Sequence, residues 1–255
     1  MNQLLKVENL EKGQILNGVS FVVEQGAMTA VMGPSGSGKS TLLYHAAGMD
    51  RPSGGKVWLK ETEITNLSED ERSRVRLHRM GFVFQQMNML SNLNILDNIL
   101  LPVIQANKDR RSLWEQKARR SKAELTRTAR ELMRKLSIAG LEERSITQVS
   151  GGQLQRACIC RSMMNAPEIL FADEPTGALN KSAAAGVMEE LVRLNEDGTT
   201  ILLVTHDSKV ASRCGRILYL SDGRICGELE LGKPVSGEEK QREDRLNRWL
   251  MEMGW

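Results

Sequence analysis

Nine consecutive residues carry the most explicit chemistry in this chain: Gly33-Pro34-Ser35-Gly36-Ser37-Gly38-Lys39-Ser40-Thr41. They fit the pattern G-x-x-x-x-G-K-[ST] with nothing missing. A triphosphate packs several negative charges closely together. Three glycines let the backbone bend so that successive N–H groups point at those oxygens. A helix beginning near Lys39 adds the positive end of its dipole. Lys39 is a mobile point charge for the β- and γ-phosphates, and the Ser40 hydroxyl suits one Mg²⁺ position. A second group completes this chemistry. Ile169-Leu170-Phe171-Ala172 is an apolar run ending in Asp173-Glu174. Phosphoryl transfer needs a metal carboxylate and a group that orients or deprotonates water. Asp173 fits the first role, and Glu174 fits the second as general base. A third group, Ser150-Gly151-Gly152-Gln153, puts a hydroxyl and two glycines at the head of a helix. Alone it reads as a simple helix cap; beside the phosphate loop it is also a ready anion site. One chain has no obvious use for a second γ-phosphate cradle, whereas a pair of chains does.

These groups must be positioned by strands and helices. Met28-Thr29-Ala30-Val31-Met32 reads as a buried parallel strand feeding the loop. Leu42-Leu43-Tyr44-His45-Ala46-Ala47 reads as the following helix, closed by Gly48. Residues 4–10 and 19–23 are short strands with Gly13 and Gly18 at turns. Lys56-Val57-Trp58-Leu59-Lys60 alternates as a half-buried strand. Ser68 is a predicted N-cap, with Glu71 closing its capping box. Gly81-Phe82-Val83-Phe84 is a strand ending at Gln85-Gln86. Residues from about 87 to 165 form a helical insertion that Pro102 interrupts. Helix over 181–195, strand over 199–204 and a hairpin about Asp222-Gly223 follow. Strands alternating with helices behind a phosphate loop predict an α/β fold, a doubly wound, mainly parallel sheet. The domain should span residues 1–231. Residues 232–255 form a polar tail with a short amphipathic helix. Its stripe of Leu246, Trp249, Leu250 and Met253 should pack on its own domain, with docking to a partner as the minor reading.

A chain of 255 residues can bury a full core. The formal net charge of +3 is too small to imply nucleic acid. No apolar run approaches the ~18 residues of a membrane span, and residues 1–6 contain no signal-peptide core. The expected location is therefore the cytosol, or a membrane surface reached through a partner. Cys158, Cys160, Cys214 and Cys226 fit neither a zinc nor a disulfide spacing and read as reduced, mostly buried thiols. Residues 106–135 carry eleven Lys/Arg against four Asp/Glu. The segment is either a solvated helical face or a contact for anionic lipid or an acidic permease helix, with Arg119 and Arg120 at its centre.

Taken together, the phosphate loop, Gln85, Ser150-Gly151-Gly152-Gln153, Asp173-Glu174, Gly177-Ala178-Leu179-Asn180 and His206 resemble the ATP-binding subunit of an ABC transporter, in order and spacing. The resemblance covers roughly residues 4–229. It implies a P-loop NTPase (RecA-like) core, an antiparallel β subdomain and an inserted helical subdomain. It also implies ATP and Mg²⁺, a separate integral-membrane permease, and a head-to-tail dimer that sandwiches two ATP. In that arrangement Ser150 and Gly152 of one copy touch the γ-phosphate held by the other copy's Lys39. Gln85 meets Mg²⁺ and the attacking water. His206 bonds the γ-phosphate and supports Glu174. The metal set is then Ser40, Gln85 and Asp173.

Two departures matter. Relatives carry an adenine-stacking aromatic after the first strand, and Asn9-Leu10-Glu11-Lys12-Gly13-Gln14-Ile15 has none. This predicts weaker or less base-selective nucleotide binding unless an aliphatic contact substitutes. Asn180 stands where many relatives have Asp. Within the family, Gly81-Phe82-Val83-Phe84-Gln85 and Asp173-Glu174-Pro175-Thr176-Gly177-Ala178-Leu179-Asn180 resemble the macrolide, lipoprotein and antimicrobial-peptide group. The Ala178-Leu179-Asn180 variant and Ser212-Arg213-Cys214-Gly215-Arg216 are most similar to bacitracin-type resistance ATPases, which can involve a sensor kinase through the permease. Lipoprotein release and cell-division mechanotransmission are the alternatives. A single cassette without a heptad run argues against a ribosome- or DNA-directed relative. The presence of Lys39, Asp173, Glu174 and His206 argues against a non-hydrolysing module.

Overall fold

The computed structural model describes residues 2–109, 120–235 and 237–255. Two sheets share the work. β1 (Gln3–Lys12) and β2 (Leu16–Glu24) form a hairpin. β3 (Met28–Met32) enters the second sheet, and α1 (Lys39–Ala46) follows it. β4 (Gly54–Leu59) and β5 (Thr62–Glu63) return to the first sheet, which is antiparallel in the order β2-β1-β4-β5. α2 (Glu69–Arg79) leads into β6 (Met80–Val83). Its Ser68 and Glu71 do form the expected capping box.

α3 (Ile95–Lys108), α4 (Lys122–Lys135) and α5 (Gly151–Met163) lie between β6 and β7 (Ile169–Asp173). The expectation that Pro102 breaks this stretch is corrected: α3 runs through it. Pro102 lacks only the N–H that would meet Asn98. The buried face of Ile95, Leu96, Ile99, Leu100 and Val103 stays continuous across it. Residues 110–119 of the basic segment, Arg119 among them, lie outside the described residues. In the described part, α4 buries Leu125, Ala129 and Met133. It turns Lys122, Arg127, Arg130 and Arg134 toward one shallow surface hollow.

α6 (Lys181–Glu196), β8 (Thr200–Val204), the short α7 (Ser208–Ala211), β9 (Arg216–Ser221), β10 (Arg224–Glu230) and α8 (Glu239–Glu252) complete the chain. The second sheet has the order β10-β9-β3-β8-β7-β6. All its pairings are parallel except β9 with β10. β3, β7 and β8 are buried at every position, as parallel strands covered on both faces must be. Alternate residues feed two cores. Ala30, Met32, Leu170, Ala172 and Leu203 face the inserted helices, α6 and α8. Val31, Phe171, Leu202, Val204 and Leu218 face α1 and the antiparallel sheet.

The hairpin turn is the expected one, with Asp222 at φ 48 and Gly223 at φ 71. Two successive left-handed residues match a type I′ turn. Cys158, Cys160 and Cys214 are free and buried, and Cys226 is free and exposed. Burial pushes the Cys158 thiol up to about 11 and Cys160 to about 12. The tail stripe packs at home: Leu246 and Leu250 join the core, and Trp249 and Met253 lie against Gly227.

Candidate functional site

Register brings the chemistry to one edge. Val31 pairs with Val204 and Asp173 with Val204, all parallel. The residues that follow β3, β7 and β8 therefore leave the sheet side by side, at the carboxyl ends where such sheets bind ligands. A cavity of about 940 Å³ opens there. Ile15, Pro34, Lys39, Gln85, Glu174 and His206 are among the residues that line it.

The phosphate loop is built for an anion. Gly33 passes so near β9 that a Cβ would sit 1.9 Å from the Leu220 carbonyl oxygen. Gly38 is the left-handed N-cap of α1 at φ 98, and no side chain caps the helix. The first N–H groups of α1 are thus left for a ligand. The Ser37 hydroxyl is buried without a partner. The Lys39 ammonium lies 2.8 Å from the Gly33 carbonyl and 2.9 Å from that of Pro34. Burial pulls its pKa below the ordinary lysine value, and Glu174 and Asp173 oppose that. A cradle of free N–H groups, an unpartnered hydroxyl and a half-buried ammonium fits a polyphosphate.

Oxygen donors gather beside it. Ser40 Oγ donates to Asp173 Oδ1 at 2.9 Å, and Asp173 is only 6% exposed. A hydroxyl and a carboxylate in contact, on the phosphate side of a buried strand, suit Mg²⁺. The exposed Gln85 side chain lies against Gly177, where a Cβ would be 3.1 Å from Nε2. Sequence reasoning missed Tyr44. Its hydroxyl donates to Asp173 Oδ2 at 2.6 Å, from one turn after Ser40 on the same face of α1. Burial first, and then the Asp173 hydrogen bond, pushes the phenol up to about 12, so it remains a donor. The i,i+4 spacing of Ser40 and Tyr44 was the available signal. Tyr44→Phe frees one Asp173 oxygen and is expected to raise the Mg²⁺ requirement of ATP turnover about tenfold. A Mg²⁺ titration at saturating nucleotide checks this, and an unchanged midpoint contradicts it.

Glu174 sits just past the strand in the left-handed region, at φ 46. That conformation is costly for a side chain of this kind. Its N–H donates to the Val204 carbonyl at 3.0 Å. Thr205 Oγ1 donates to Oε2 at 3.3 Å, and His206 Nδ1 meets Oε1 at 2.7 Å. An ionised carboxylate only accepts, so Nδ1 carries the proton of this pair. Three backbone and side-chain contacts therefore aim one carboxylate into the cavity.

The Ser150-Gly151-Gly152-Gln153 group is elsewhere. Ser150 is the N-cap of α5, in a capping box with Gln153. None of Ser150, Gly151, Gly152 or Gln153 is among the described residues lining the cavity. Asn180 caps α6, accepting from the Ala183 N–H at 2.9 Å. Asn caps a helix about as well as Asp, so the exchange retains this local role.

Residues 16–177 match the family described as ABC transporter. The chain belongs to the ABC transporter family. The chain is 38% identical over 226 residues to the macrolide export ATP-binding/permease protein MacB of Campylobacter jejuni, covering 89% of itself and 33% of that protein. It thus spans about a third of that relative. It is 36% identical to the lipoprotein-releasing system ATP-binding protein LolD of Aquifex aeolicus, covering 90% of itself and 99% of LolD. It is 37% identical to the bacitracin export ATP-binding protein BceA of Halalkalibacterium halodurans, covering 88% and 84%. Among solved structures it resembles the dimeric post-hydrolysis state of the cassette MJ0796 bound to ADP and Pi. The TM-score is 0.78 at 35% identity, covering 89% of this chain and 99% of that one. No helix among the described residues is long and apolar enough to cross a membrane.

Proposed function

We propose that this cassette binds ATP with Mg²⁺, closes as a head-to-tail dimer and drives a separate integral-membrane permease from the cytoplasmic face of the membrane. One observation carries this reading. Lys39, the Ser40–Asp173 pair and the Glu174–His206 pair converge on one cavity, whereas Ser150 and Gly152 stand outside it. A second copy supplies what the single chain leaves out. Lys39 and the loop N–H groups hold the phosphates. Ser40, Asp173 and Gln85 would hold Mg²⁺, directly or through water, and the ion would supply positive charge to the phosphates. Glu174 takes the proton of the attacking water, and His206 holds Glu174 in place and faces the γ-phosphate. Ser150, Gly151, Gly152 and Gln153 close over the partner's nucleotide.

A groove of about 730 Å³ runs between α2, β6, α3 and α5, with Phe82, Phe84, Leu101, Pro102 and Arg161 along it. Phe84 leads from it to the metal carboxylate: its ring centroid is 6.4 Å from that of Tyr44, whose hydroxyl holds Asp173. We assign this groove to a permease helix. Leu101 is 38% exposed, and Leu101→Asp should abolish co-purification of the permease and leave ATP binding intact. Retained co-purification would remove the assignment.

Similarity to the bacitracin export protein supports antimicrobial-peptide export or resistance as the transported class. The test is a pull-down of tagged Glu174→Gln protein from native membranes with ATP·Mg²⁺. A multi-span protein with a large extracellular domain supports peptide resistance. A smaller permease of the lipoprotein-release or cell-division kind moves the assignment to those branches. Ribosomal or DNA-bound material without a membrane protein overturns the transporter reading.

A further inference from the structure

The sequence leaves the nucleotide cavity without the expected aromatic, and the structure shows Ile15 there, 47% exposed. The same cavity is bordered from the other end of the chain, by Gly254 and Trp255. This placement is locally encoded. Gly254 takes φ 83 just past α8, its N–H donates to Met251 O at 3.2 Å, and the Trp255 N–H donates to Leu250 O at 3.0 Å. These two bonds are a Schellman motif, which turns the chain sharply out of a helix. The turn sends Trp255 toward the phosphate loop.

Its neighbours then fix the ring. Tyr219 and Trp255 meet with centroids 6.1 Å apart and planes at 71°. Tyr219 is braced in turn by Trp249 at 6.2 Å and 81°. A perpendicular contact occupies at most one face of an indole. Tyr219 is 3% exposed, whereas Trp255 is 46% exposed. Of Tyr219 and Trp255, the two large aromatic side chains bordering the cavity among the described residues, only Trp255 has area to offer a ligand. A polyphosphate needs N–H groups and cations, which the loop provides. A purine needs a flat, polarisable surface, which the loop lacks.

We propose that Trp255 is the base-contacting aromatic of this cassette, standing in for the one missing after β1. The inference rests on the cavity being an ATP site, and the test separates the two. Equilibrium binding of ATP, ADP and inorganic tripolyphosphate is measured by calorimetry for the unsubstituted chain, Trp255→Ala and Trp255→Phe. Trp255→Ala should weaken ATP and ADP by about five- to a hundredfold and leave tripolyphosphate unchanged. Trp255→Phe should retain most of the affinity, and it covers the case in which the alanine variant loosens α8. Unchanged ATP affinity in Trp255→Ala overturns the proposal. An equal loss for tripolyphosphate also overturns it, because the ring then supports the loop and not the base. Failure of the unsubstituted chain to bind any of the three refutes the ATP site itself.

Discussion

Glu174→Gln is expected to lower ATP turnover by about 10²–10⁴-fold while leaving ATP affinity near its starting value. The geometry separates the two effects. The Glu174 carboxylate takes its hydrogen bonds from Thr205 Oγ1 and His206 Nδ1 and none from the phosphate loop among the described residues, and its N–H donates to Val204 O. Glutamine has nearly the same shape, and its carbonyl oxygen can still accept from Nδ1–H. The left-handed backbone at φ 46 is held by the Val204 carbonyl, which the substitution does not alter. What is lost is a site for the proton of the attacking water. In the proposed cycle, dimer closure depends on ATP, and opening depends on its hydrolysis. The variant should therefore accumulate as a dimer in ATP·Mg²⁺ and remain a monomer in ADP. Phosphate release and light scattering read the two effects independently. Full turnover would remove Glu174 as the base. A variant that neither turns over nor dimerises in ATP would mean that Ser150 and Gly152 do not complete the partner's site.

The residues whose placement is local were legible in the sequence. Lys39 and Ser40 follow from a loop that must join a buried strand to a helix. Asp173 follows from an apolar run that ends at the same sheet edge. The capping box of Ser68 and the turn at Asp222-Gly223 needed only neighbours a few residues away. What the sequence hid depends on distant pairings. Tyr44 meets Asp173 across 129 positions, and its aromatic character alone reads as core. Trp255 was part of no motif, because its meaning comes from Tyr219 on β9 and from a helix cap that aims it. Pro102 misled for the opposite reason. Local propensity breaks a helix at proline, but a continuous buried face outweighs one missing hydrogen bond in α3. The expectation of weaker base binding rests on the segment after β1 alone, and Trp255, from another segment, borders the same cavity.

Arg242→Ala is expected to destabilise the protein by about 3–5 kcal/mol, near the upper limit for a single substitution. Arg242 is 7% exposed and all five of its N–H groups are used. Nε donates to Ser212 O at 2.9 Å; Nη1 donates to Leu231 O and Lys233 O at 2.8 and 3.2 Å; Nη2 donates to Cys214 O and Gly232 O at 2.8 and 3.0 Å. Burial lowers its pKa below the ordinary arginine value, yet a guanidinium stays charged at any physiological pH. One planar fork thus ties α8 to the turn before β9 and to the chain leaving β10. Alanine leaves five carbonyls short of a donor, and those of Ser212 and Cys214 are in buried surroundings. Lysine has three donors on a single nitrogen and cannot span carbonyls on both segments, so Arg242→Lys should recover only a minor part of the loss. The effect also has a direction. If α8 releases first, hydrogen exchange in α8 should rise before exchange in β3, β7 and β8. ATP affinity should then fall with Trp255 displaced, while tripolyphosphate affinity holds. Urea denaturation, with exchange mapped by segment, measures both. A loss below about 1 kcal/mol, the level of a single ordinary hydrogen bond, would show that water replaces the guanidinium and that α8 is held by its apolar stripe alone.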